Sequence, residues 1–307
     1  MTNKKVAVII PIYYPDIKFN LLLRRLREQK DIDFDLYIVD SGSNLNDYES
    51  DLEGLSFNIK KTSPKDFNHG GTRQKAAERC REYPFLIYMT QDAIPANNYA
   101  LAHLIASFGQ NAKIGCAYGR QLPNPDASIT AAHARLFNYP AQSQMKALKD
   151  VKKLGIKVAF LSDTFAAYRN EVLQAVGNFP AHVILGEDSI VAAKMILAGW
   201  KVAYVADAQV YHSHNYTILQ EFKRYFDTGV FHAEESWIRE NFGKAEGEGK
   251  RFVVSEVCYI LQHNPLLLPE LIIRDGMKFL GYRLGIKEKS LSINLKKKIS
   301  MNSCYWE

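Results

Sequence analysis

An α/β fold built on a doubly wound, mostly parallel sheet, with a helical carboxy-terminal extension, is predicted by three features of the sequence. Short apolar, β-branched runs alternate with helix-period segments from Val6 to Tyr118. The runs at Phe34–Val39 and Phe85–Met89 stop at acids, as strands do when their carboxyl ends open on a site. From Thr217 to Leu284 the pattern is of helices, separated by one polar loop. At 307 residues the chain can bury a large core as one big domain or two unequal ones, divided here into 1–216 and 217–307.

Val6–Ile10 reads as the first strand, ended by Pro11 and followed by Tyr13-Tyr14-Pro15. Asp16 to Gln29 carries Leu21, Leu22 and Leu26 at helical spacing. Phe34–Val39 is a second strand with a turn at Asp40-Ser-Gly-Ser43, and Asn58–Lys61 a short third. Asp66-Phe-Asn-His69-Gly70-Gly-Thr-Arg73 reads as a loop feeding a helix amino terminus, which favours an anion or is simply a capped turn. Phe85–Met89 is uncharged, the signature of a strand covered on both faces. Asn97 to Phe108 then reads as a helix and Ile114–Tyr118 as a strand.

Between Gln121 and Gly155 the pattern weakens around Pro123, Pro125 and Pro140, the mark of a long irregular insertion. Val158–Ser162 is the next expected strand, with a helix from Arg169 to Val176. Gly186-Glu187-Asp188 opens a helix with an apolar stripe through Ile190, Val191, Met195 and Ala198, closed by Gly199. Lys201–Ala206 and Val210–His214 are two extended pieces. In the tail, Gly243–Gly249 reads as a polar loop between helices.

Composition bounds the function. With 47% hydrophobic and 23% charged residues the chain is globular rather than disordered. Cys80, Cys116, Cys258 and Cys304 have no paired spacing, so neither a zinc knuckle nor a disulfide framework is expected and a reducing compartment fits. No secretory signal is expected after Met1-Thr-Asn-Lys-Lys, and no apolar run reaches the roughly 20 residues of a membrane span. The net charge of +6 is modest, and Lys287, Lys289, Lys296, Lys297 and Lys298 crowd one end, which argues against a nucleic-acid stripe. Leu266–Ile273, Met277, Phe279, Leu280 and Tyr282 lie beside these lysines. That composition suits a helix in a membrane interface, and equally one packed on the rest of the chain or a second copy.

Three acidic sites fall at ends of predicted elements. Asp92, after Thr90-Gln91, can hold a divalent cation on a diphosphate, or cap the helix near Asn97. Asp40 ends a strand. Glu187 and Asp188 open a helix, as caps or with Asp188 as a general base. His212 and His214, two apart in an extended stretch, share one face and can ligate a metal, meet phosphate oxygens or simply sit half-exposed. A dinucleotide-binding fold is not supported, because Pro11-Ile-Tyr-Tyr-Pro15 stands where its glycine-rich turn belongs, and there is no Gly-Lys-Ser/Thr phosphate loop.

Together Val8-Ile-Ile-Pro-Ile-Tyr13, Ile38-Val-Asp-Ser-Gly-Ser43, Asn68–Arg73, Thr90-Gln-Asp92 and Gly186-Glu-Asp188 resemble the motifs of family-2 glycosyltransferases of the GT-A fold, over roughly Lys5 to Tyr216. Phe67–Arg73, Met89–Ala93, Tyr211–Tyr216 and tail segments at Phe242–Gly249, Asn264–Leu268 and Phe279–Gly285 resemble the bacterial rhamnosyltransferase subgroup. The resemblance implies a nucleotide side of Pro11, Tyr13, Asp40, Ser41, His69, Gly70, Arg73 and Gln91, with Asp40 on the base. It implies Asp92 as ligand of Mg²⁺ or Mn²⁺, with Thr90 in place of the family's first carboxylate and His212 or His214 completing the set. Asp188, beside Glu187, becomes the base of a single inverting displacement. The implied donor is dTDP-L-rhamnose and the acceptor a lipid-linked glycan of O-antigen type. The implied place is the cytoplasm, peripheral at the inner face of the membrane, with a homo-oligomer open. A UDP-hexose donor and a non-catalytic glycan- or nucleotide-binding module are the alternatives. A glycosidase leaves the nucleotide-side motifs unexplained.

Overall fold

The computed structural model describes residues 6–43, 47–63, 67–243 and 246–307. The Met1–Lys5 stretch, Asp66 of the glycine-bearing loop and Lys244-Ala245 of the polar tail loop lie outside them. Among the described residues nine strands form one sheet: β1 (Val6–Ile12), β2 (Phe34–Asp40), β3 (Phe57–Lys61), β4 (Phe85–Met89), β5 (Ile94–Pro95), β6 (Ile114–Leu122), β7 (Gln144–Lys146), β8 (Phe165–Arg169) and β9 (Lys201–Tyr211). Their order is β3-β2-β1-β4-β8-β6-β9-β5, with β7 also on β9. The helices are α1 (Ile17–Arg27), α2 (His69–Arg79), α3 (Ala100–Ala106), α4 (Ile129–Asn138), α5 (Val151–Leu154), α6 (Asn170–Ala175), α7 (Glu187–Leu197), α8 (Ile218–Glu234), α9 (Ser236–Phe242), α10 (Glu246–His263), α11 (Leu268–Ile286) and α12 (Ile293–Ile299).

Strand direction decides where the site lies. β1 runs parallel to β2 and β4, and β6 parallel to β9, while β8 is antiparallel to both β4 and β6. The carboxyl ends of β1, β2, β4, β6 and β9 therefore share one edge, and the amino end of β8 joins them there. Alternate residues of β1 enter opposite cores: Ala7 and Ile9 one, Val6, Val8, Ile10 and Ile12 the other. Phe19, Leu22, Leu23 and Leu26 of α1 cover the second face, each fully buried side chain contributing about 1.5–3 kcal/mol. Ala76 and Ala77 of α2 and much of α7 cover the first, together with Phe226, Val230 and Phe231 of α8.

The structure corrects four expectations. Val158–Ser162 is not a strand, because the buried Lys146 ammonium donates to the carbonyls of Lys157 and Phe160 and holds that segment off the ladder. The strand is β8, a few residues later. The stretch from Gln121 to Gly155 contains α4, capped by Ser128 and packed through His133 and Phe137 on Phe252 of α10. Glu246–Gly249 opens α10 rather than continuing a loop. The two extended pieces after Lys201 are one strand, irregular where Gly119 and Arg120 of β6 pair with Val205 and Gln209.

Helices α8 and α11 touch backbone to backbone. A Cβ on Gly285 would lie 2.1 Å from the Phe226 carbonyl, and one on Gly281 2.3 Å from that of Phe222. The crossing points Leu271, Arg274 and Lys278 inward and leaves Ile272, Ile273, Phe279 and Leu280 in solvent. Leu271 and Leu284 therefore pack on the rest of the chain, and Ile272, Ile273, Phe279 and Leu280 of the apolar face do not. Gly285→Ala is expected to lose about 1–3 kcal/mol in denaturant unfolding, because the helices must part. Gly276→Ala, with nothing within 4 Å, should gain about 0.5–1 kcal/mol from helix propensity. Equal effects at the two positions would contradict the crossing.

Candidate functional site

The shared sheet edge gathers side chains from six segments. At the exit of β1, Tyr13 N–H donates to Gln91 Oε1 (2.8 Å), and Gln91 Nε2 donates back to the Tyr13 carbonyl (3.3 Å). Gln91 thus clamps the exit of β1 to the turn after β4. Tyr13 is half-exposed, with its ring edge-on to Tyr14 at 4.7 Å, a surface on which a planar base can stack. Pro11 lies inside β1 opposite Val39.

Asp40 is buried at the end of β2. Its Oδ1 accepts from Gly42 N (3.1 Å) and Ser43 N (2.8 Å), and its Oδ2 accepts from the Tyr48 hydroxyl (2.9 Å). These bonds fix the turn that presents Ser41 and Ser43. The Oγ atoms of both serines are buried with no partner among the described residues. Buried hydroxyls are normally satisfied, so two orphans at a strand end mark a place where a ligand's polar atoms fit.

Asp92 is not a helix cap: α3 starts at Ala100, and Asn97 Oδ1 takes the Tyr99 amide instead. Its Oδ2 faces Nε2 of His212 (3.5 Å) and of His214 (3.6 Å), and one ligand atom from each of the three lies within 4.8 Å of the others. The rings stand 88° apart at 4.6 Å. Burial lowers His212 to about 3, so it is neutral. Its Nδ1 faces Gln121 Oε1 (2.9 Å), which assigns the proton to Nδ1 and leaves the Nε2 lone pair towards Asp92. The residues therefore fit a metal. Two imidazoles and a carboxylate suit Mn²⁺ and softer transition ions better than Mg²⁺, which prefers oxygen donors.

A second cluster surrounds Arg73. Its Nε lies 2.9 Å from Asp163 Oδ2, and its Nη1 lies 3.1 Å from Glu187 Oε1 and donates to the His69 carbonyl at 3.0 Å. Arg73 is thus buried among acids and does not face an open cleft. Of the amides after His69, Gly71 N is taken by the Asn68 side chain and Thr72 N by the Asn68 carbonyl. Gly70 packs on the Pro180 carbonyl, with no room for a side chain. In this arrangement Arg73 and the first turn of α2 support the acidic cluster.

Asp188 Oδ2 accepts from Asp163 N (3.1 Å) and its Oδ1 from Ser189 N (2.6 Å). Burial, reinforced by neighbouring Glu187, pushes Asp188 up to about 6. Burial pushes Asp163 up to about 8 despite Arg73. For Glu187, burial is outweighed by Arg73 and His69, and its pKa is lowered. At neutral pH Asp188 is the ionised, raised-pKa carboxylate suited to accept a proton, and Glu187 is tied up by Arg73.

Gly186 makes this possible. It caps α7 at φ +81°, and its missing Cβ leaves room for the Phe231 ring, which would lie 2.8 Å from one. Gln121 joins the two clusters. Its Oε1 accepts from Arg135 and faces His212, and its Nε2 donates to Ser162 Oγ (3.0 Å), next to Asp163. Arg135 on α4 and Arg224 on α8 both act electrostatically on His212 and His214. Neither has a carboxylate partner among the described residues.

Sequence reasoning missed Asp163, Gln121, Arg135 and Arg224. Only Asp163 carried a signal, an acid just ahead of Thr164–Tyr168, because an antiparallel strand brings its start, not its end, to the site.

A family model described as "Glycosyltransferase like family 2" matches residues 7–227. O-antigen chain rhamnosyltransferase WbaN of Salmonella anatum is 44% identical over 301 residues, 98% of this chain and 95% of its own. O-antigen chain rhamnosyltransferase RfbN of Salmonella typhimurium is 45% identical over 305 residues, 98% and 96% of the two. Among solved structures, the mannosyltransferase PcManGT from Pyrobaculum calidifontis, in complex with GDP-Man and Mn²⁺, superposes with TM-score 0.56 at 17% identity, over 98% of this chain and 84% of that one. S. aureus TarS 1-349 in complex with UDP-GlcNAc gives 0.54 at 16% identity, over 93% and 91%. These likenesses show the fold, which is GT-A.

Calorimetric titration is expected to find Mn²⁺ bound more tightly than Mg²⁺. Asp92→Ala should abolish Mn²⁺ binding, and Gln121→Leu should weaken it about 10–100-fold through the His212 tautomer. Mg²⁺ binding of equal strength would contradict the donor set.

Proposed function

The chain belongs to glycosyltransferase family 2 and is a glycosyltransferase; on that premise we propose that it transfers L-rhamnose from dTDP-L-rhamnose, with inversion, to a hydroxyl of a lipid-linked O-antigen glycan. The observation that carries the mechanism is Asp188: a buried carboxylate raised to about 6, held by two backbone amides on the edge that also bears Asp92, His212 and His214. The choice of rhamnose is supported by the names of the relatives at 44% and 45% identity.

The thymine stacks on Tyr13, near the Asp40 turn and the two serine hydroxyls. Asp92, His212 and His214 would hold Mn²⁺ in preference to Mg²⁺, and when bound the ion supplies positive charge to the departing diphosphate. Arg135 and Arg224 add to that charge from the helices across the site. Asp188 takes the proton from the acceptor hydroxyl as its oxygen attacks the anomeric carbon. The bond from that carbon to the diphosphate oxygen breaks, and dTDP leaves with the electron pair. Arg73 keeps Glu187 ionised and Asp188 in place.

The acceptor's lipid places the reaction on the inner face of a membrane in the cytoplasm. Among the described residues no helix is long and apolar enough to cross one. The outward stripe of α11 ends at the exposed cations Arg283, Lys287 and Lys289, with Lys298 of α12 beyond, so an apolar strip and a basic rim lie together. An anionic leaflet matches both.

Nucleoside diphosphate release from a panel of sugar nucleotides tests the reaction. Release from dTDP-rhamnose is expected, reduced about 10²–10⁴-fold in Asp188→Asn. An acidic limb near pH 6 is expected, since protonation of Asp188 removes the base as pH falls. Release from a UDP-hexose alone would sink the rhamnose reading and keep the base.

Membrane contact is checked by co-sedimentation with phosphatidylglycerol-containing and neutral vesicles. Binding only to the anionic ones, lost in Ile272→Ser/Phe279→Ser with turnover on a soluble acceptor retained, is expected. Absence of binding together with a concentration-dependent dimer would assign the stripe to a second copy.

A further inference from the structure

Beyond the end of β9 the chain alternates between two sides. Ser213 and Asn215 face the segment that leads into α4. Ser213 Oγ accepts from Asn124 N (3.0 Å), and its carbonyl accepts from Asn124 Nδ2 (3.1 Å). Asn215 Oδ1 accepts from Ser128 N (2.8 Å), and its Nδ2 donates to the Asp126 carbonyl (2.9 Å). His212, His214 and Tyr216 fall on the other side and form a column of rings. The two imidazole centroids are 4.6 Å apart, and the Tyr216 ring lies 5.1 Å from that of His214, tilted by 27°.

His214 is the less anchored of the two histidines. Gln121 meets Nδ1 of His212, whereas no group among the described residues hydrogen-bonds Nδ1 of His214, and its side chain is 39% exposed. A metal-ligating histidine is normally oriented through the ring nitrogen that does not meet the metal. For His214 the stacked face of Tyr216 restricts the ring instead. The stack holds only if Tyr216 is itself held.

Arg274 holds it. This buried residue of α11 donates from Nη1 to the Tyr216 carbonyl (2.8 Å), just before Thr217 caps α8. The same nitrogen lies 3.1 Å from Glu221 Oε2 of α8, and Nη2 lies 2.6 Å from Glu270 Oε1 of α11. Two carboxylates thus aim the planar guanidinium at one carbonyl, a geometry that lysine does not reproduce. The Arg224 guanidinium lies over the Tyr216 ring, 5.8 Å from its centroid, and adds a cation–π contact.

We propose that Tyr216 and Arg274 are positioning residues of the metal set: Arg274 fixes the backbone at Tyr216, and the Tyr216 ring fixes the His214 imidazole towards Asp92. This rests on reading Asp92, His212 and His214 as metal ligands. Neither residue supplies a ligand atom to the set. The helix with the outward apolar stripe therefore also serves the ion site, through a residue on its inner face.

The test uses the full chain and three variants: Tyr216→Phe, which keeps the ring, Tyr216→Leu, which removes it, and Arg274→Gln, which removes the clamp. Proton NMR of the metal-free protein, with His214→Gln for assignment, reads the stack, because a ring lying over the imidazole shields its carbon-bound protons. Those signals are expected to move downfield in Tyr216→Leu and Arg274→Gln and to stay in place in Tyr216→Phe. Calorimetry should find Mn²⁺ bound about tenfold more weakly in Tyr216→Leu and Arg274→Gln, with wild-type affinity in Tyr216→Phe. The double variant Tyr216→Leu/Arg274→Gln should bind no more weakly than Tyr216→Leu, because both act along one path. Unmoved His214 signals or unchanged Mn²⁺ affinity in folded Tyr216→Leu would overturn the proposal. So would a Tyr216→Phe as weak as Tyr216→Leu, or additive losses in the double variant. If Arg274→Gln does not fold, Arg274→Lys, which keeps the charge beside both glutamates without the planar fork, must move the His214 signals or the role of Arg274 fails. A wild type that binds no Mn²⁺, with the His214 shifts intact in the variants, would sink the metal reading and leave the positioning of His214 standing.

Discussion

Three carboxylates are buried around a single guanidinium, and much of the architecture follows from that imbalance. Desolvating an unpaired carboxylate costs several kcal/mol, so Asp163, Glu187 and Asp188 cannot all be ionised beside one Arg73. Glu187 takes the largest share of the positive charge, Asp163 keeps a proton into the neutral range, and Asp188 is left between them. The arrangement needs a strand entering the sheet in reverse to deliver Asp163, and a left-handed cap at Gly186 to start α7 under Phe231. It also needs an α2 whose first turn is capped by its own Asn68, leaving Arg73 for the acids.

The second cluster is organised differently. Asp92, His212 and His214 offer lone pairs to a cation, with no guanidinium inside the set. Gln121 stands between the clusters, its oxygen on the metal side and its nitrogen on the side of Ser162 and Asp163. One amide therefore fixes the tautomer of His212 and the segment that carries Asp163. Charge develops on the leaving diphosphate and is removed from the acceptor hydroxyl in the same displacement, and both ends are held by the same frame.

β1 and β4 were legible because they are covered on both faces and read as apolar runs. β8 was not: Phe165-Ala-Ala-Tyr-Arg169 has no β-branched residue, while Val158–Ser162 looks more like a strand and is held off the ladder by Lys146. α4 was hidden because its apolar face is completed by α10, more than a hundred residues away in sequence, and sequence periodicity reports faces rather than partners. In the site, acids at strand ends were readable from position alone. Arg135, Arg224 and Gln121 acquire meaning only where distant segments meet, and the pairing of Arg73 with the protein's own acids was likewise not readable from spacing.

The glycine crossing of α8 and α11 has a consequence for which substrates can be used. With backbones in contact at Gly281 and Gly285, and Phe231 of the same α8 pressed on Gly186, the outer face of α11 and the helix bearing Asp188 are joined by direct packing through α8. On the membrane-facing reading, that packed unit is a ruler. It sets a fixed stand-off between the bilayer and the reacting hydroxyl, so the length of glycan already built on the lipid, as much as the identity of its last sugar, decides which acceptor is extended.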